Sequence, residues 1–358
     1  MGKILSVIVP TYNMEKYLGY CLDSLIVENK DAIEVLVIND GSTDGSLVIA
    51  KSYQMLYPEL FRVIDKSNGN YGSCINRGLK EATGKYVKIL DADDSFDSKN
   101  FNSFIDFLKS QDADLILSDF KVVDENRSHL RTVHYGFSIQ SNHPFQKLCS
   151  NTDFTDAIQM HAVAYRFEML RSMKYHQTEG ISYTDQQWIF TPMINVKSVS
   201  YFDKAVYRYL IGRDGQTMDP KVKMRSMEHA RKNSFGLVSD YEKHKNEINN
   251  NQALRFYLHS RLAWYIKDIY VYYICHYSKA NAPILRDYDK KLRYLSNEIY
   301  EFIGSKNVSS FHGFTYIDYW RKHKIPTLLV KVLGKVYKSM LDTKAKHMSN
   351  NNSLSIGI

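Results

Sequence analysis

The chain has 358 residues, of which 44% are hydrophobic and 24% charged, ordinary fractions for globular proteins that exclude a disordered, collagenous or coiled-coil chain. This length exceeds what one hydrophobic core usually supports, so we expect two domains. The net charge of +8 is unevenly distributed, because residues 1–124 hold 13 Lys+Arg and 19 Asp+Glu whereas residues 221–358 hold 24 and 11. The basic C-terminal third indicates an anionic partner, such as a membrane surface, a phosphorylated acceptor or nucleic acid.

Short β-branched runs alternate with helical patterns over the first 120 residues. The predicted strands are residues 4–10, Ile33–Ile38, Arg62–Asp65, Tyr86–Leu90 and 115–118. The predicted helices are Glu15–Leu25, a segment ending near Tyr57, Ser73–Thr83 and 101–110. This alternation predicts βαβ units and a mostly parallel sheet, in which ligands bind beyond the carboxyl ends of the strands. The polar clusters at residues 11–13, 39–45, 66–72 and 91–94 fall at those ends.

Residues 120–220 are mixed in pattern, and from about 221 the chain is helical and rich in aromatic residues. Ile325–Leu341 alternates lysines with apolar residues at helical spacing, which suits either an anionic membrane surface or packing in a bundle or homo-oligomer. We expect a disordered tail at 349–358. With no signal peptide or apolar run of membrane-spanning length, the expected location is the cytoplasm, with peripheral attachment to the inner face of the membrane as the alternative. The four cysteines form no CxxC pair, so neither a zinc site nor a disulfide framework is indicated.

The carboxylates of Asp91-Ala92-Asp93-Asp94 directly follow the apolar run YVKIL. Carboxylates packed so closely repel one another, and a hard divalent cation with oxygen ligands relieves the repulsion. Mg²⁺ or Mn²⁺ would also bridge a diphosphate and stabilise its charge as it leaves. The alternative is a solvated acidic turn that caps the following helix through Asp94 or Ser95.

Other polar groups at the predicted strand ends allow two interpretations each. Asp40 could accept the imide N–H of a uracil, or it could form an Asx turn with Gly41 and Ser42. Gly69 and Gly72 permit positive φ and a close approach of the backbone to a ligand, but they also suit an ordinary turn.

Taken together, the order and spacing of these motifs resembles that of the family 2 inverting glycosyltransferases, which have a GT-A fold. The motifs are Pro10-Thr11-Tyr12-Asn13, Asp40-Gly41-Ser42-Thr43-Asp44, Lys66-Ser67-Asn68-Gly69 and Asp91-Ala92-Asp93-Asp94. The resemblance is strong over residues 4–120, continues to about 220 and does not cover the helical C-terminal third. It implies an α/β catalytic domain at 1–220, with a Rossmann-like, mostly parallel sheet flanked by helices. A helical, basic domain at 221–348 would then contact the acceptor, a membrane surface or another subunit.

The resemblance also implies a donor site. Thr11, Tyr12 and Glu15 match positions that hold the nucleotide base and ribose, and Asp40 matches the aspartate that reads uracil. Asp93 matches the metal ligand, for Mn²⁺ or Mg²⁺. The complete set of predicted donor-binding residues is Pro10, Thr11, Tyr12, Asn13, Glu15, Asp40, Lys66, Asn68, Gly69, Asp91, Ala92, Arg208 and Arg213.

In this family the general base is an aspartate on a later segment, and the match here is Asp185 in the run Tyr183–Trp188. Glu179, six residues earlier, is its local rival, since either carboxylate could deprotonate an acceptor hydroxyl. Arg208 or Arg213, in a stretch resembling the loop that closes over the donor, would stabilise the departing phosphate. The alternative is that both are surface arginines in a turn.

The function implied is a metal-dependent hexosyltransferase that moves a sugar from a UDP-sugar, with inversion, to a hydroxyl of a bacterial cell-surface glycan, teichoic-acid-like polymer, lipid-linked oligosaccharide or glycoprotein. Two departures qualify it. Ile75-Asn76 stands where many members carry Arg-Asn, and the QxxRW signature of processive synthases is missing, which favours one sugar per encounter. Nucleic acid is not an expected partner. The alternatives are a non-catalytic UDP- or glycan-binding subunit and a sugar nucleotidyltransferase, although Val9–Asn13 lacks the glycine- and arginine-rich loop of the latter.

Overall fold

The computed structural model describes residues 2–139, 141–149, 158–182, 184–213, 227–311 and 313–325. The strands in these ranges are β1 Leu5–Thr11, β2 Ile33–Asp40, β3 Phe61–Lys66, β4 Tyr86–Ile89, β5 Ser95–Phe96, β6 Leu115–Val123, β7 His129–Val133, β8 His143–Pro144, β9 Val163–Arg166, β10 Ser198–Leu210, β11 Ser310–Phe311 and β12 Phe314–Thr315. The α-helices are α1 Glu15–Asp23, α2 Ser46–Leu56, α3 Asn70–Glu81, α4 Ser98–Lys109, α5 Phe145–Cys149, α6 Phe167–Ser172, α7 Asp185–Trp188, α8 Met227–Lys243, α9 Lys245–Asn249, α10 Gln252–Cys275, α11 Asn281–Leu295, α12 Asn297–Gly304 and α13 Tyr316–His323. All of the predicted segment Ile325–Leu341 except Ile325 lies outside the described residues, as does the tail 349–358.

Strands β1 to β10 form one sheet in the order β3-β2-β1-β4-β9-β6-β10-β5, with β7 beside β6 and β8 beside β10. Neighbouring strands among β3, β2, β1 and β4 are parallel, and so are β6 and β10. Since β9 runs antiparallel to both β4 and β6, all six of these parallel strands point the same way.

The buried strands are built from β-branched and apolar residues. β1 (LSVIVPT) is buried along its whole length, as is usual where helices cover both faces of a sheet. Val7 and Val9 pack with Leu18 of α1 in the main core. Ile8 points to the opposite face, where a Cβ on Gly78 of α3 would lie only 2.6 Å from it. Helices therefore cover both faces.

The predicted α/β fold with a mostly parallel sheet is confirmed, with local corrections. Asn39 and Asp40 belong to β2 rather than to the following loop, and α3 begins at Asn70, so Gly72 lies inside a helix. Neither Gly69 nor Gly72 has a positive φ. The sequence did not reveal β5, β7, β8 or β9, because strands of two to five residues are too short to show a clear hydrophobic period.

The chain divides into two compact units, Met1–Ile211 and Gly212 onward. The described part of the second unit is mainly helical, and apolar residues of α10 such as Leu258, Leu262 and Ile266 form its core. Among the helices described here, none is both long and apolar enough to cross a bilayer.

The second unit also buries an ion pair. Asp289 of α11 is 5% exposed and accepts hydrogen bonds from Arg321 Nε (3.0 Å) and the Tyr270 hydroxyl (2.7 Å). Lys324 Nζ approaches its other carboxylate oxygen at 3.2 Å. This cluster joins α10 and α11 to α13.

Candidate active site

The carboxyl ends of β1, β2, β3 and β4 meet at one edge of the sheet, because these strands are parallel neighbours. Strand register places Thr11 beside Asn39, and Asp40 beside Lys66. The acidic segment 91–94 follows β4, which is the other neighbour of β1. The fold therefore gathers the four N-terminal motifs along one edge.

Side-chain hydrogen bonds tie the loop after β1 to the loop after β2. Asn13 Oδ1 accepts from the Thr43 N–H at 2.8 Å. Glu15 Oε2 accepts from the Gly45 N–H at 2.9 Å, and Asp44 Oδ2 accepts in return from the Glu15 N–H at 3.0 Å. Asn13 has a φ of 53°, a left-handed conformation that asparagine adopts more readily than most residues. Asn13 and Glu15, both predicted donor-site residues, thus help to hold the two loops together.

The loop after β1 also carries one exposed aromatic ring. Pro10 and Thr11 are buried, whereas the Tyr12 side chain is exposed. A planar ligand such as a nucleotide base could stack on the Tyr12 ring.

Asp40 is buried and joins the end of β2 to the loop after β3. Its Oδ1 contacts Lys66 Nζ and accepts from the Gly69 N–H at 3.0 Å. Asn68 Nδ2 donates to the Asp40 carbonyl at 2.9 Å, and Lys66 Nζ also donates to Ser73 Oγ at 2.8 Å. Asp40 therefore bridges to β3 and α3 instead of forming an Asx turn, and these four predicted residues lie together.

Asp91, Asp93 and Asp94 bring carboxylate oxygens within 4.8 Å of one another. Asp93 and Asp94 are only 6% and 1% exposed, so the solvated-turn interpretation is wrong. It is Asp97 that caps α4, accepting from the Asn100 N–H at 3.2 Å. Ala92, which separates Asp91 from Asp93 in sequence, is buried in the main core. Three clustered carboxylates could hold a divalent cation through oxygen ligands.

Within this triad, both carboxylate oxygens of Asp94 accept hydrogen bonds from β10. Its Oδ2 accepts from the Tyr207 hydroxyl and its Oδ1 from the Leu210 N–H, both at 2.6 Å. The Tyr207 hydroxyl in turn accepts from the Asp91 N–H at 3.1 Å. Burial and then the charges of Asp93 and Asp91 raise the pKa of Asp94 well above its usual value. Asp94 is thus a structural residue, and Asp91 and Asp93 are the better candidates for metal ligands.

The charge of Asp185, at the start of α7, raises the pKa of two tyrosines that the acidic cluster also influences. The Tyr71 hydroxyl donates to Asp91 Oδ1 at 2.8 Å, and the pKa of Tyr71 is raised by burial, by Asp91 and then by the charge of Asp185. The pKa of Tyr209 is raised by burial and then by the charges of the triad and of Asp185. The fold therefore lets Asp185 and the acidic cluster influence the same tyrosines, although about ninety residues separate them in sequence.

Glu179, the local rival of Asp185, is bonded elsewhere. Its Oε1 accepts from Asn76 Nδ2 at 2.8 Å and lies 3.9 Å from His176 Nε2. It is not among the main charges acting on Tyr71 or Tyr209. Its position favours Asp185 over Glu179 as the carboxylate facing the cluster.

Residues 6–173, which include the whole acidic cluster, match the family model described as "Glycosyl transferase family 2". This part of the chain belongs to that family. The uncharacterized glycosyltransferase YibD of Escherichia coli K12 is 29% identical over 213 residues, which are 58% of this chain and 61% of YibD. The poly(ribitol-phosphate) beta-glucosyltransferase of Bacillus spizizenii is 27% identical over 219 residues, 60% of this chain and 33% of that protein. The chain thus spans less than two thirds of either relative.

A solved structure extends the likeness to the fold of nearly the whole chain. S. aureus TarS 1-349 in complex with UDP-GlcNAc aligns with a TM-score of 0.64 at 20% identity, covering 96% of this chain and 92% of that one. The GT-A fold that the motifs implied is confirmed.

Arg208 lies within β10 of the first unit and not in a surface turn. Its Nη2 donates to the Arg127 carbonyl at 2.9 Å. Arg127 Nη1 donates to the Asp93 carbonyl at 3.0 Å, and its guanidinium lies 4.2 Å from the Tyr20 ring centroid. Arg213 follows β10, and residues 214–217 of the predicted closing loop lie outside the described residues. Arg127, which the sequence did not single out, is thus a guanidinium next to the acidic cluster.

The departure from the family's Arg-Asn pair has a structural counterpart. Ile75 is fully buried. Asn76 binds the segment that leads to Asp185, because its Oδ1 accepts from the Gln177 N–H and its Nδ2 donates to the Gln177 carbonyl, both at 2.8 Å. Gly72 permits this docking, since a Cβ there would lie 1.9 Å from the Thr178 carbonyl oxygen. α3 thereby holds both Tyr71 and the approach to Asp185 in place.

Proposed function

We propose that this protein is a metal-dependent, inverting hexosyltransferase that uses a UDP-sugar donor. The acceptor would be a hydroxyl of a bacterial cell-surface glycan, teichoic-acid-like polymer, lipid-linked oligosaccharide or glycoprotein. The observation that carries the proposal is the carboxylate triad after β4 together with α3, which carries both Tyr71, bonded to Asp91, and Asn76, bonded to the segment that leads to Asp185. A metal-binding carboxylate pair and a separate base are what direct displacement of UDP requires.

Support for the donor comes from the residues gathered at the carboxyl ends of β1 to β3. The Tyr12 ring would stack on the uracil, and Asp40 would accept its imide N–H through Oδ2, since Lys66 and the Gly69 N–H bond to Oδ1. The complex of TarS with UDP-GlcNAc is consistent with a UDP-sugar donor, and the name of the Bacillus spizizenii relative is consistent with a polymer acceptor.

The residues at the end of β4 suit Mn²⁺ or Mg²⁺. Asp91 and Asp93 supply hard carboxylate oxygens, whereas both oxygens of Asp94 are bonded within the protein. A bound ion would offset the negative charge that develops on the departing diphosphate. Arg127 beside Asp93, together with Arg208 or Arg213, would add positive charge on the same side.

Asp185 would act as the general base. Its carboxylate takes the proton of the acceptor hydroxyl while that oxygen attacks the anomeric carbon from the face opposite UDP. The bond from that carbon to the β-phosphate oxygen breaks as the new glycosidic bond forms, so an α-linked donor gives a β-glycoside. UDP leaves with the bonding electron pair.

Donor binding is tested by titrating the protein calorimetrically with UDP, with and without Mn²⁺. We expect metal-dependent binding that is lost in Asp93→Ala, because a metal ligand is removed. Asp106→Ala, which removes an exposed carboxylate on α4, is the control and should bind like the wild type. If UDP binds equally well without metal and to Asp93→Ala, Asp93 is not a metal ligand.

The base is tested with Asp185→Asn, which keeps the shape of the side chain. We expect sugar transfer to fall about 10²- to 10⁴-fold while UDP affinity stays close to wild type, the usual size of a general-base contribution. Glu179→Gln is the matched control and should retain most activity. If Asp185→Asn transfers sugar at the wild-type rate and Glu179→Gln loses activity, Glu179 is the general base instead.

The remaining proposals concern organisation and location. We propose a catalytic domain at 1–220 and a basic helical domain at 221–348 that contacts the acceptor, a membrane surface or another subunit. The division of the chain near Gly212 supports two domains. We also propose a cytoplasmic location; peripheral attachment to the inner face of the membrane, through the positive charge of residues 221–358, is the alternative.

A further inference from the structure

A groove of about 240 Å³ lies between α3 and α6 in the first unit. Its floor is apolar and consists of Leu79, Phe167 and Leu170, with the Tyr175 ring alongside. Neither the resemblance nor the proposed donor site accounts for this groove.

The rim of the groove is basic, formed by Lys80, Arg171, Lys174 and His176, and no carboxylate lines the groove among the described residues. Lys80 and Lys174 make no ion pair within the described part of the chain. Glu168 approaches Arg171 only at 3.9 Å, with both side chains about two thirds exposed, so the pair is weak. His176 Nε2 likewise lies 3.9 Å from Glu179, so the positive charge of the rim is only weakly offset by carboxylates of the described residues.

Lys174 occupies an unusual backbone position. Its φ is 52°, just after the end of α6, where the Tyr175 N–H donates to the Leu170 carbonyl at 3.0 Å. Glycine is the residue usually found at such a left-handed helix end, because a Cβ is disfavoured there. Lys174, in place of the usual glycine, adds an exposed amine to the rim of the groove.

The groove is connected to the candidate active site through α3. Tyr71, which hydrogen-bonds to Asp91, lies in the first turn of the helix, and Asn76 and Lys80 follow on it. At 1.5 Å per residue, these two groove residues lie about 8 and about 14 Å further along the axis. Asn76 also binds the segment that leads to Asp185. A chain-like acceptor with its reacting hydroxyl at Asp185 could therefore reach the groove with its next units.

We propose that this groove is an acceptor subsite that binds a phosphodiester, with its negative charge at Lys80, Arg171 and Lys174 and its carbon backbone on the apolar floor. The proposal rests on the proposed function and specifies the acceptor class as phosphate-bearing. The phosphodiester could belong to a soluble polymer or to a lipid head group, and the experiment separates the two.

The test measures binding of the full-length protein to two probes. One is a synthetic hexamer of glycerol phosphate, followed by calorimetry, and the other is a phosphatidylglycerol vesicle, followed by co-sedimentation. Lys174→Glu should weaken binding about tenfold or more, the loss expected when a charged hydrogen bond is removed. Lys51→Glu, an exposed lysine on α2, makes the same change in net charge and should have little effect.

A second variant separates lost binding from a damaged fold. Lys174→Gly removes the charge but suits the left-handed backbone, so it should raise the midpoint of thermal unfolding by about 2–4 °C. It should still weaken the affinity for whichever probe the wild type binds. If the hexamer binds and the Lys174 variants weaken its binding, the ligand is a soluble phosphodiester. If only the vesicles bind and the Lys174 variants weaken that binding, the ligand is a lipid head group.

Two results would overturn the proposal: neither probe binds the wild type, or Lys51→Glu weakens binding as much as Lys174→Glu. UDP titration of the same variants keeps the two proposals distinct. Unchanged UDP binding in Lys174→Glu with lost probe binding supports both. If the wild type does not bind UDP, the proposed donor site is wrong, whether or not the groove binds the hexamer or the vesicles.

Discussion

Lys88 is a fully buried lysine in β4, three residues before Asp91. Its Nζ donates to the carbonyls of His161 at 2.7 Å and Val163 at 3.1 Å. Burial lowers the pKa of Lys88 from 10.5 to about 7. Burial and then the charge of Lys88 lower the pKa of His161 to about 3, so this imidazole is neutral at physiological pH. The start of β9 is thus held to β4 by an amine that loses its proton near neutrality.

Lys88→Met should reveal this titration. The unfolded chain keeps the lysine proton up to its ordinary pKa, so between about pH 7 and about pH 10.5 unfolding takes up a proton. The free energy of unfolding of the wild type, relative to Lys88→Met, should therefore rise with pH across this window, by at most about 1.4 kcal/mol per pH unit. Urea unfolding of both proteins at several pH values measures the difference. A difference independent of pH would mean that the buried amine keeps its proton.

At the level of single residues, the sequence was sufficient to propose Asp91, Asp93 and Asp185, because they stand in motifs of recognisable spacing. It was not sufficient to identify Tyr207, whose hydroxyl donates a hydrogen bond to Asp94. β10 carries register irregularities against β6 between Phe202 and Ala205 and between Ala205 and Tyr207. Such irregularities change which face a residue points to, so counting alternate positions along the strand does not place Tyr207.

Among the elements, α3 connects the most parts of the candidate site. Its first turn carries Tyr71, bonded to Asp91, and Asn76 further along binds the segment before Asp185. The Gly180 N–H also donates to the Gly69 carbonyl at 3.1 Å, just before the helix begins. A shift of α3 would therefore move the acidic cluster and the proposed base relative to each other.

Gly72→Ala should disturb this arrangement. The new Cβ would lie 1.9 Å from the Thr178 carbonyl oxygen, so the segment must move, at a cost of about 1–3 kcal/mol in the free energy of unfolding. We expect a lower rate of sugar transfer with little change in UDP affinity, measured by transfer assay and calorimetry. Gly19→Ala is the control, because its Cβ would meet nothing closer than 3.8 Å and alanine favours the helix. Wild-type transfer by Gly72→Ala would show that this docking does not position the base.

The prediction of α1, α2 and α4 from sequence rested on their apolar spacing and was accurate to within a few residues at most ends. The start of α3 was placed three residues late, at Ser73, because Asn70 and Gly72 normally favour turns. A glycine is required at position 72 of this helix because the Thr178 carbonyl oxygen, more than a hundred residues later, would lie 1.9 Å from a Cβ there. A contact so distant in sequence cannot be inferred from local preference.

At the scale of the whole molecule, the second unit depends on charge as well as on apolar packing. Glu298 of α12 accepts from Arg255 Nη2 at 2.6 Å and from the Tyr241 hydroxyl at 3.1 Å, and Lys245 Nζ lies at 3.0 Å. Burial alone would raise the pKa of Glu298, but the bonds from Lys245, Arg255 and Tyr241 outweigh it and lower the pKa to about 2. This carboxylate joins α8, α9, α10 and α12.

The stability contributed by Glu298 should be lost in acid. A lowered pKa stabilises the fold fully above the ordinary value of 4.5, and the contribution disappears as the pH falls towards about 2. The midpoint of thermal unfolding of the wild type should therefore exceed that of Glu298→Gln at pH 6, and the gap should close on acidification. Glu301→Gln, an exposed neighbour on the same helix, should show no such pH-dependent gap. A constant gap for Glu298→Gln would contradict the assignment.

The buried pair of Asp289 and Arg321 limits how far the protein can be shortened for crystallisation or expression. A version ending before Arg321 would leave the Asp289 carboxylate buried with the Tyr270 hydroxyl as its remaining partner among the described residues. An uncompensated buried charge costs about 3–5 kcal/mol, a large fraction of the stability of an ordinary domain. Trimming from the C-terminus should therefore stop after Lys324, whose backbone carbonyl also accepts from the Tyr277 hydroxyl at 2.7 Å.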